Sequence, residues 1–195
     1  MNKLLIIGLL VSFVGGCGSD ENSELECPPL PRAIDINAIE LAVNDGEYQA
    51  NTLISYQQVD ISLHASGTGV YSAGNQYDAN QTYAQNCIIP PQIIPANNKL
   101  TAINIYSTAD FSTELTAGSS LNEVFNVHSL LLDSNQDPIT VDEVQELLPI
   151  LMARDFSLTF NQAPEIASSH IFYIELSLDN GKQFSLATPE LLLGE

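Results

Sequence analysis

The chain has 195 residues and carries 24 Asp and Glu against five Lys and Arg, a formal charge of −19. That length suits one domain with a sizeable core, and 45% hydrophobic with 15% charged residues is too apolar for a chain disordered throughout. The acid excess excludes nucleic acid as a partner, because phosphate neutralisation needs clustered Lys and Arg and the basic residues here are few and scattered.

Met1–Lys3 is a short positive segment, and Leu4–Val14 is an apolar run of 11 residues. A helix needs about 20 apolar residues to cross a hydrocarbon core of about 30 Å, so the run reads as the core of an export signal. It ends in Val14-Gly15-Gly16-Cys17. Small residues directly before a Cys resemble the lipobox of bacterial lipoproteins. The resemblance implies cleavage before Cys17, diacylglyceration of its thiol, and a membrane anchor in which each buried methylene contributes about 0.8 kcal/mol. A plain secretory signal followed by an incidental Cys is the alternative. Residues 1–16 are therefore expected to form the signal peptide, 17–27 an acidic tether and 28–195 the folded domain. Cys17-Gly18-Ser19-Asp20-Glu21 is also similar to the acidic export signal that sends lipoproteins of Bacteroidetes-type bacteria to the outer face of the outer membrane; a periplasm-facing lipoprotein is the other reading.

With Cys17 lipidated, Cys27 and Cys87 remain, an even number in an oxidising compartment. A disulfide between them would close a loop of about 60 residues and stabilise the fold by about 4 kcal/mol on the chain-entropy model. Two free buried thiols are the alternative, and no His stands at metal-ligand spacing from either Cys.

From Pro28 onward the apolar residues mostly alternate, with β-branched and aromatic enrichment. Strands are predicted over Ile34–Val43, with a bulge at Ala38-Ile39, then over 53–65, 100–107, 127–132, 156–160, 171–178 and 184–193. Asp179-Asn180-Gly181 between the last two is a hairpin signal. Two short helices are expected, since Ser120…Glu123 and Thr140…Glu143 both have capping-box spacing ahead of apolar residues. About seven strands with few helical residues predict an all-β fold: an antiparallel β-sandwich, immunoglobulin-like but without that fold's core Trp. A closed barrel is the second choice. Residues 66–98, rich in Gly, Asn and Gln, read as a long excursion; Tyr71, Tyr77 and Tyr83 within it are candidate ligand contacts, the alternative being a polar loop packed on its own sandwich.

No Gly-x-Ser-x-Gly elbow and no phosphate loop occur. His64, His128 and His170 fall on or beside predicted strands, without metal-binding spacing. Acid pairs are too abundant to identify a glycosidase, and no Trp is present to stack a sugar. Asp133, Asn135 and Asp137 supply the first, third and fifth oxygen ligands of a calcium loop, but Pro138 and Val144 replace the Gly and Glu such a loop requires. A polar turn is the competing reading there, with calcium the one cofactor considered.

Leu100–Phe111, Ala117–Phe125 and the Phe172–Phe184 hairpin together resemble a family of small uncharacterised lipoproteins of Bacteroidetes-type bacteria. The resemblance implies a lipoprotein and brings no activity or site residues with it. The sequence thus points to a lipid-anchored, non-enzymatic binding or structural component at the outer membrane or cell surface. Its partner would be an envelope protein or glycan. A calcium-dependent binding module or an envelope hydrolase are the alternatives.

Overall fold

Alternation of apolar residues settles which face of each strand enters the core, and the chain does form an all-β sandwich. The computed structural model describes residues 32–47, 51–70, 96–129, 138–151 and 153–194. Among them the strands are β1 (Ala33–Val43), β2 (Leu53–Ser55), β3 (Asp60–Val70), β4 (Lys99–Ser107), β5 (Phe125–His128), β6 (Ile139–Thr140), β7 (Ile150–Leu151), β8 (Asp155–Phe160), β9 (Ser168–His170), β10 (Phe172–Leu178), β11 (Gln183–Ala187) and β12 (Leu191–Gly194), and helix α1 is Val141–Leu147. They form a five-stranded sheet in the order β1-β3-β8-β5-β6, a four-stranded sheet β11-β10-β4-β7 and a three-stranded sheet β2-β12-β9. Every pairing is antiparallel except β2 with β12. Among the described residues no sheet closes into a barrel.

The core lies between the inner faces of the sheets. Ile61, Leu63 and Ala65 on β3, Phe156, Leu158 and Phe160 on β8, Ile103 and Ile105 on β4, and Phe172, Ile174, Leu176 and Leu178 on β10 are all buried. Each of the Ile, Leu and Phe side chains contributes about 1.5–3 kcal/mol when fully buried. Phe125 joins Phe160 and Phe172 with ring centroids 4.4 and 5.6 Å away, in tilted and edge-to-face arrangements.

β1 changes phase once. Ile34 and Ile36 are buried, and so are Ile39 and Val43. The pairing with β3 absorbs the extra residue between Ile36 and Ala38, one step earlier than the Ala38-Ile39 position the alternation predicts. The Ile36 N–H donates to the Oδ1 of buried Asn98 at 2.8 Å, and the Ile36 carbonyl accepts from Lys182 Nζ at 2.7 Å. Opposite Ile36 stands Gly67, where a Cβ would lie 2.0 Å from the Asp35 carbonyl oxygen.

Three predicted elements divide or change. The strand expected over 53–65 is interrupted by a 3-10 turn at Tyr56–Gln58: β2 leaves to pair with β12, while β3 runs on to Val70. The strand expected over 184–193 breaks at Thr188, whose N–H and hydroxyl are engaged with the Phe172 backbone, and Pro189. The expected first helix is only a 3-10 turn, Asn122–Val124, with no side-chain cap. There Ser120 bridges Tyr106, the Leu121 N–H donates to the Ile105 carbonyl, and Asn122 caps the backbone of Ile103 and Ile105. Those long-range bonds fix the segment against β4 and outcompete the local cap. The second helix forms with its capping box complete: Thr140 Oγ1 accepts from the Glu143 N–H at 3.2 Å and Glu143 Oε2 accepts from the Thr140 N–H at 2.7 Å. These bonds hold the Glu143 carboxyl below its ordinary pKa.

The 178–182 hairpin forms with a type I turn and Gly181 at φ 83°, so the Asn-Gly pair sits at the end of the turn instead of at its centre.

Gly67→Ala is expected to lower stability by about 1–3 kcal/mol, as overpacking against backbone does. Urea unfolding measures this, and an unchanged midpoint would mean that the β1 bulge yields freely.

Candidate functional site

The outer face of the five-stranded sheet is ordered by register. Glu40, His64 and Asp155 stand directly across β1, β3 and β8 from one another. The next row on the same face is Ala42, Ser62, Ser157 and His128, which runs on to β5. Side chains of Ala and Ser size leave a depression between taller rows. The result is an open groove of about 400 Å³, walled by Glu40, His64 and Asp155 and floored by Ser62 and Ser157, with Ser129 at one end. Asp155 Oδ1 is in direct hydrogen-bond contact with His64 Nδ1 and fixes the ring, although both side chains are substantially solvent-exposed. An exposed pair of this kind orients more than it stabilises. His128 Nε2 bonds Thr159 Oγ1 at 2.9 Å across the neighbouring strand pair.

A second polar hollow, about 620 Å³, surrounds the β1 bulge and is lined by Asp35, Asn37, Thr68, Asn97, Asp179 and Lys182 among others. Most of its polar atoms are engaged with one another. Asn97 Nδ2 donates to Asp35 Oδ1 at 2.8 Å, Asn37 Nδ2 to Thr68 Oγ1 at 2.8 Å, and Lys182 Nζ to Asn37 Oδ1. This hollow holds the bulge together.

His170 has the opposite environment to His64. It is fully buried, stacked on Phe172 at 5.3 Å and tilted against Phe111 at 5.9 Å. Its Nδ1 lies 2.8 Å from Ser107 Oγ and its Nε2 lies 2.8 Å from Ser168 Oγ. The Ser168 hydroxyl donates to the Ile166 carbonyl, so it must accept from an Nε2–H. Nδ1 is then the acceptor of the Ser107 hydroxyl, which itself accepts from the Ala109 N–H. Burial holds the imidazole below its ordinary pKa and keeps it neutral. A Ser–His pair sealed this way, with Ser107 only 2% exposed, offers no path to a substrate carbonyl.

Cys17, Cys27 and Cys87, the calcium candidates Asp133, Asn135 and Asp137, and Tyr71, Tyr77 and Tyr83 all lie outside the described residues. The Glu40–His64–Asp155 row was not visible in one dimension, since its members are brought together by strand pairing alone. Among the described residues no group of three or more His, Cys, Asp or Glu side chains is placed to hold a metal ion. Nor is any helix there long and apolar enough to cross a membrane.

No protein-family model, curated protein or solved structure matches the chain.

The His170 environment generates a pH dependence. Its folded pKa is depressed, so the unfolded chain takes up a proton first as pH falls through its ordinary value near 6.5. The stability it contributes is present above that pH and is lost below it, at up to about 1.4 kcal/mol per pH unit. His170→Gln is therefore expected to be less stable at neutral pH but to lose less stability between about pH 7 and 5. Chemical unfolding across that range measures both slopes, and parallel slopes would refute the assignment.

Proposed function

We propose that this protein is a lipid-anchored, non-catalytic binding component of the bacterial outer membrane, displayed on its outer face and related to the small lipoproteins that its sequence resembles. The observation that carries the anchor is the apolar run ending in Val14-Gly15-Gly16-Cys17, followed by the acidic, polar stretch Gly18–Glu26. Processing before Cys17 would remove Lys3 and keep all 24 acids, giving a strongly self-repelling head on a short polar tether. A Cys27–Cys87 disulfide would tie that tether to the domain.

Binding is favoured over catalysis by the backbone around the exposed groove. β3 and β8 are interior strands, each paired on both sides, so their backbone N–H groups are engaged in the sheet ladder. Acyl-transfer chemistry needs free donors aimed at a developing oxyanion. Ser62 and Ser157 sit on regular strand backbone, where none is on offer. The groove can recognise a ligand by hydroxyl, imidazole and carboxylate contacts without transforming it.

Cys17→Ser is expected to move the protein from the membrane fraction to the soluble fraction, and protease added to intact cells should digest the wild-type head. Retention of the variant on membranes would overturn the anchor. Protection of the wild-type head in intact cells would place it on the periplasmic side.

A further inference from the structure

The outer face of the four-stranded sheet has a different chemistry from the groove. Register places Ser120, Tyr106, Tyr173 and Ala187 in one row across it. The two tyrosine rings are stacked, with centroids 5.1 Å apart and planes within 12° of parallel. That separation is close to the spacing of neighbouring strands, about 4.8 Å, so the rings stand side by side on adjacent strands. Their outer neighbours in the row, Ser120 and Ala187, are small and exposed. Each ring therefore keeps one face against its partner and has only a short side chain beside the other. The next row is Asn104, Glu175 and Ser185, and the one after it Ala102, Ser177 and Gln183. A recess of about 200 Å³ lies along β10 and β11 over these next rows, lined by Glu175, Leu176, Ser177, Gln183, Phe184 and Ser185.

Glu175 is held in place. The Tyr106 hydroxyl donates to its Oε1 at 3.1 Å. Partial desolvation, then the hydrogen bond to Glu175 and its charge, raise the phenol pKa above the ordinary value, which keeps the donor proton on Tyr106. One carboxylate oxygen thus accepts from Tyr106, and Asn104 and Ser185 flank Glu175 in its row. These rows carry a single carboxylate and no Lys or Arg.

We propose that this face binds a neutral glycan, with the Tyr106–Tyr173 pair as the stacking surface and Glu175, Asn104, Gln183 and Ser185 as partners for sugar hydroxyls. The occupant follows from complementarity. Aromatic faces take the apolar C–H face of a pyranose, and a carboxylate beside amides and hydroxyls takes its hydroxyl edge. An anionic polymer would meet a chain of net charge −19 with no cation in these rows to receive it. A protein partner would call for an apolar centre, whereas the row next to the tyrosines is Asn104, Glu175 and Ser185. The proposal deepens the binding-protein reading by naming a ligand class at a site separate from the groove, and it does not require the lipid anchor.

The test uses the full chain in a polyoxyethylene detergent, run in native gels containing laminarin, dextran, mannan or, as the anionic comparison, alginate. Retardation is expected with at least one neutral polysaccharide and not with alginate. Tyr173→Ala should weaken that binding by about tenfold or more, the loss typical of an aromatic anchor. Glu175→Gln preserves shape and should weaken it several-fold, while Gln57→Ala, on the 3-10 turn ahead of β3, should leave it unchanged. Absence of retardation by every neutral polysaccharide would overturn the proposal, as would unchanged binding in both Tyr173→Ala and Glu175→Gln. Because Glu175→Gln leaves the tyrosine stack in place, it decides the matter if Tyr173→Ala loses its native circular dichroism. Membrane fractionation of the same samples reads the anchor independently. Sedimentation with membranes but no glycan binding removes only this site, whereas glycan binding by a protein free of membranes removes only the anchor.

Discussion

The conformation of β1 around Ile36 is the constraint on which the rest of the sandwich depends. A strand has a side-chain period of two, so a single inserted residue exchanges its inner and outer faces. The extra residue between Ile36 and Ala38 lets Ile34 and Ile36 point inward on one side of it and Ile39 and Val43 on the other. Irregular backbone of this kind loses ladder bonds, and here side chains from the other sheet supply them. Asn98, just before β4, takes the Ile36 N–H, and Lys182, just after the β10–β11 turn, reaches the Ile36 carbonyl. The same contacts therefore fix the bulge and clasp the five-stranded sheet to the four-stranded one. Gly67 completes the arrangement by having no Cβ where the Asp35 carbonyl approaches.

That clasp also decides how the few cations of the chain are used. Lys182 and Arg154 both donate to backbone carbonyls, of Ile36 and Ala65 respectively, at 2.7 and 3.3 Å. Both carbonyls belong to the β1–β3 pair. Cations placed in this way satisfy backbone acceptors that the sheet leaves over, a stronger use of a charge than an exposed ion pair in water. The phase change in β1 also turns Glu40 outward, opposite His64 and next to the small-residue row. The groove on one face thus depends on the clasp that closes the other side of the sandwich.

How much of this was legible in the sequence depended on whether the deciding interaction was local. The Thr140…Glu143 and Ser120…Glu123 patterns are equivalent as strings, yet only the first makes a capping box. The second lies beside β4, whose backbone recruits Leu121 and Asn122 into long-range hydrogen bonds. A propensity worth about 1 kcal/mol yields to two or three such bonds. The hairpin at Asn180-Gly181 was legible because a turn is made by its own residues. The interruption of the strand expected over 53–65 was not, because β2 is held by β12, far along the chain. The candidate rows are the extreme case. Glu40, His64 and Asp155, or Tyr106 and Tyr173, become neighbours only once register is fixed. Their trace in the sequence is a polar or aromatic residue at a solvent-phase position of an alternating strand, a pattern that ordinary surface residues share.

The role proposed for the two tyrosines suits an acidic surface with few available cations. Exposed charges are screened beyond about 8 Å at physiological ionic strength, so the excess of carboxylates acts mainly as a local repulsion toward anions. Attraction must then come from contacts that do not need charge of opposite sign, such as ring faces, hydroxyls and amides held at fixed spacing. A sheet supplies that spacing without extra machinery, because neighbouring strands repeat every 4.8 Å or so and side chains of one row share a face. His170 is the inner counterpart of the same economy. It is a polar ring kept neutral by burial and held by two serines, so a titratable side chain can be packed in the core without an opposing charge. In the core and on the tyrosine face alike, stacked rings and hydroxyl hydrogen bonds accommodate polar groups, while Lys182 clasps the two sheets together.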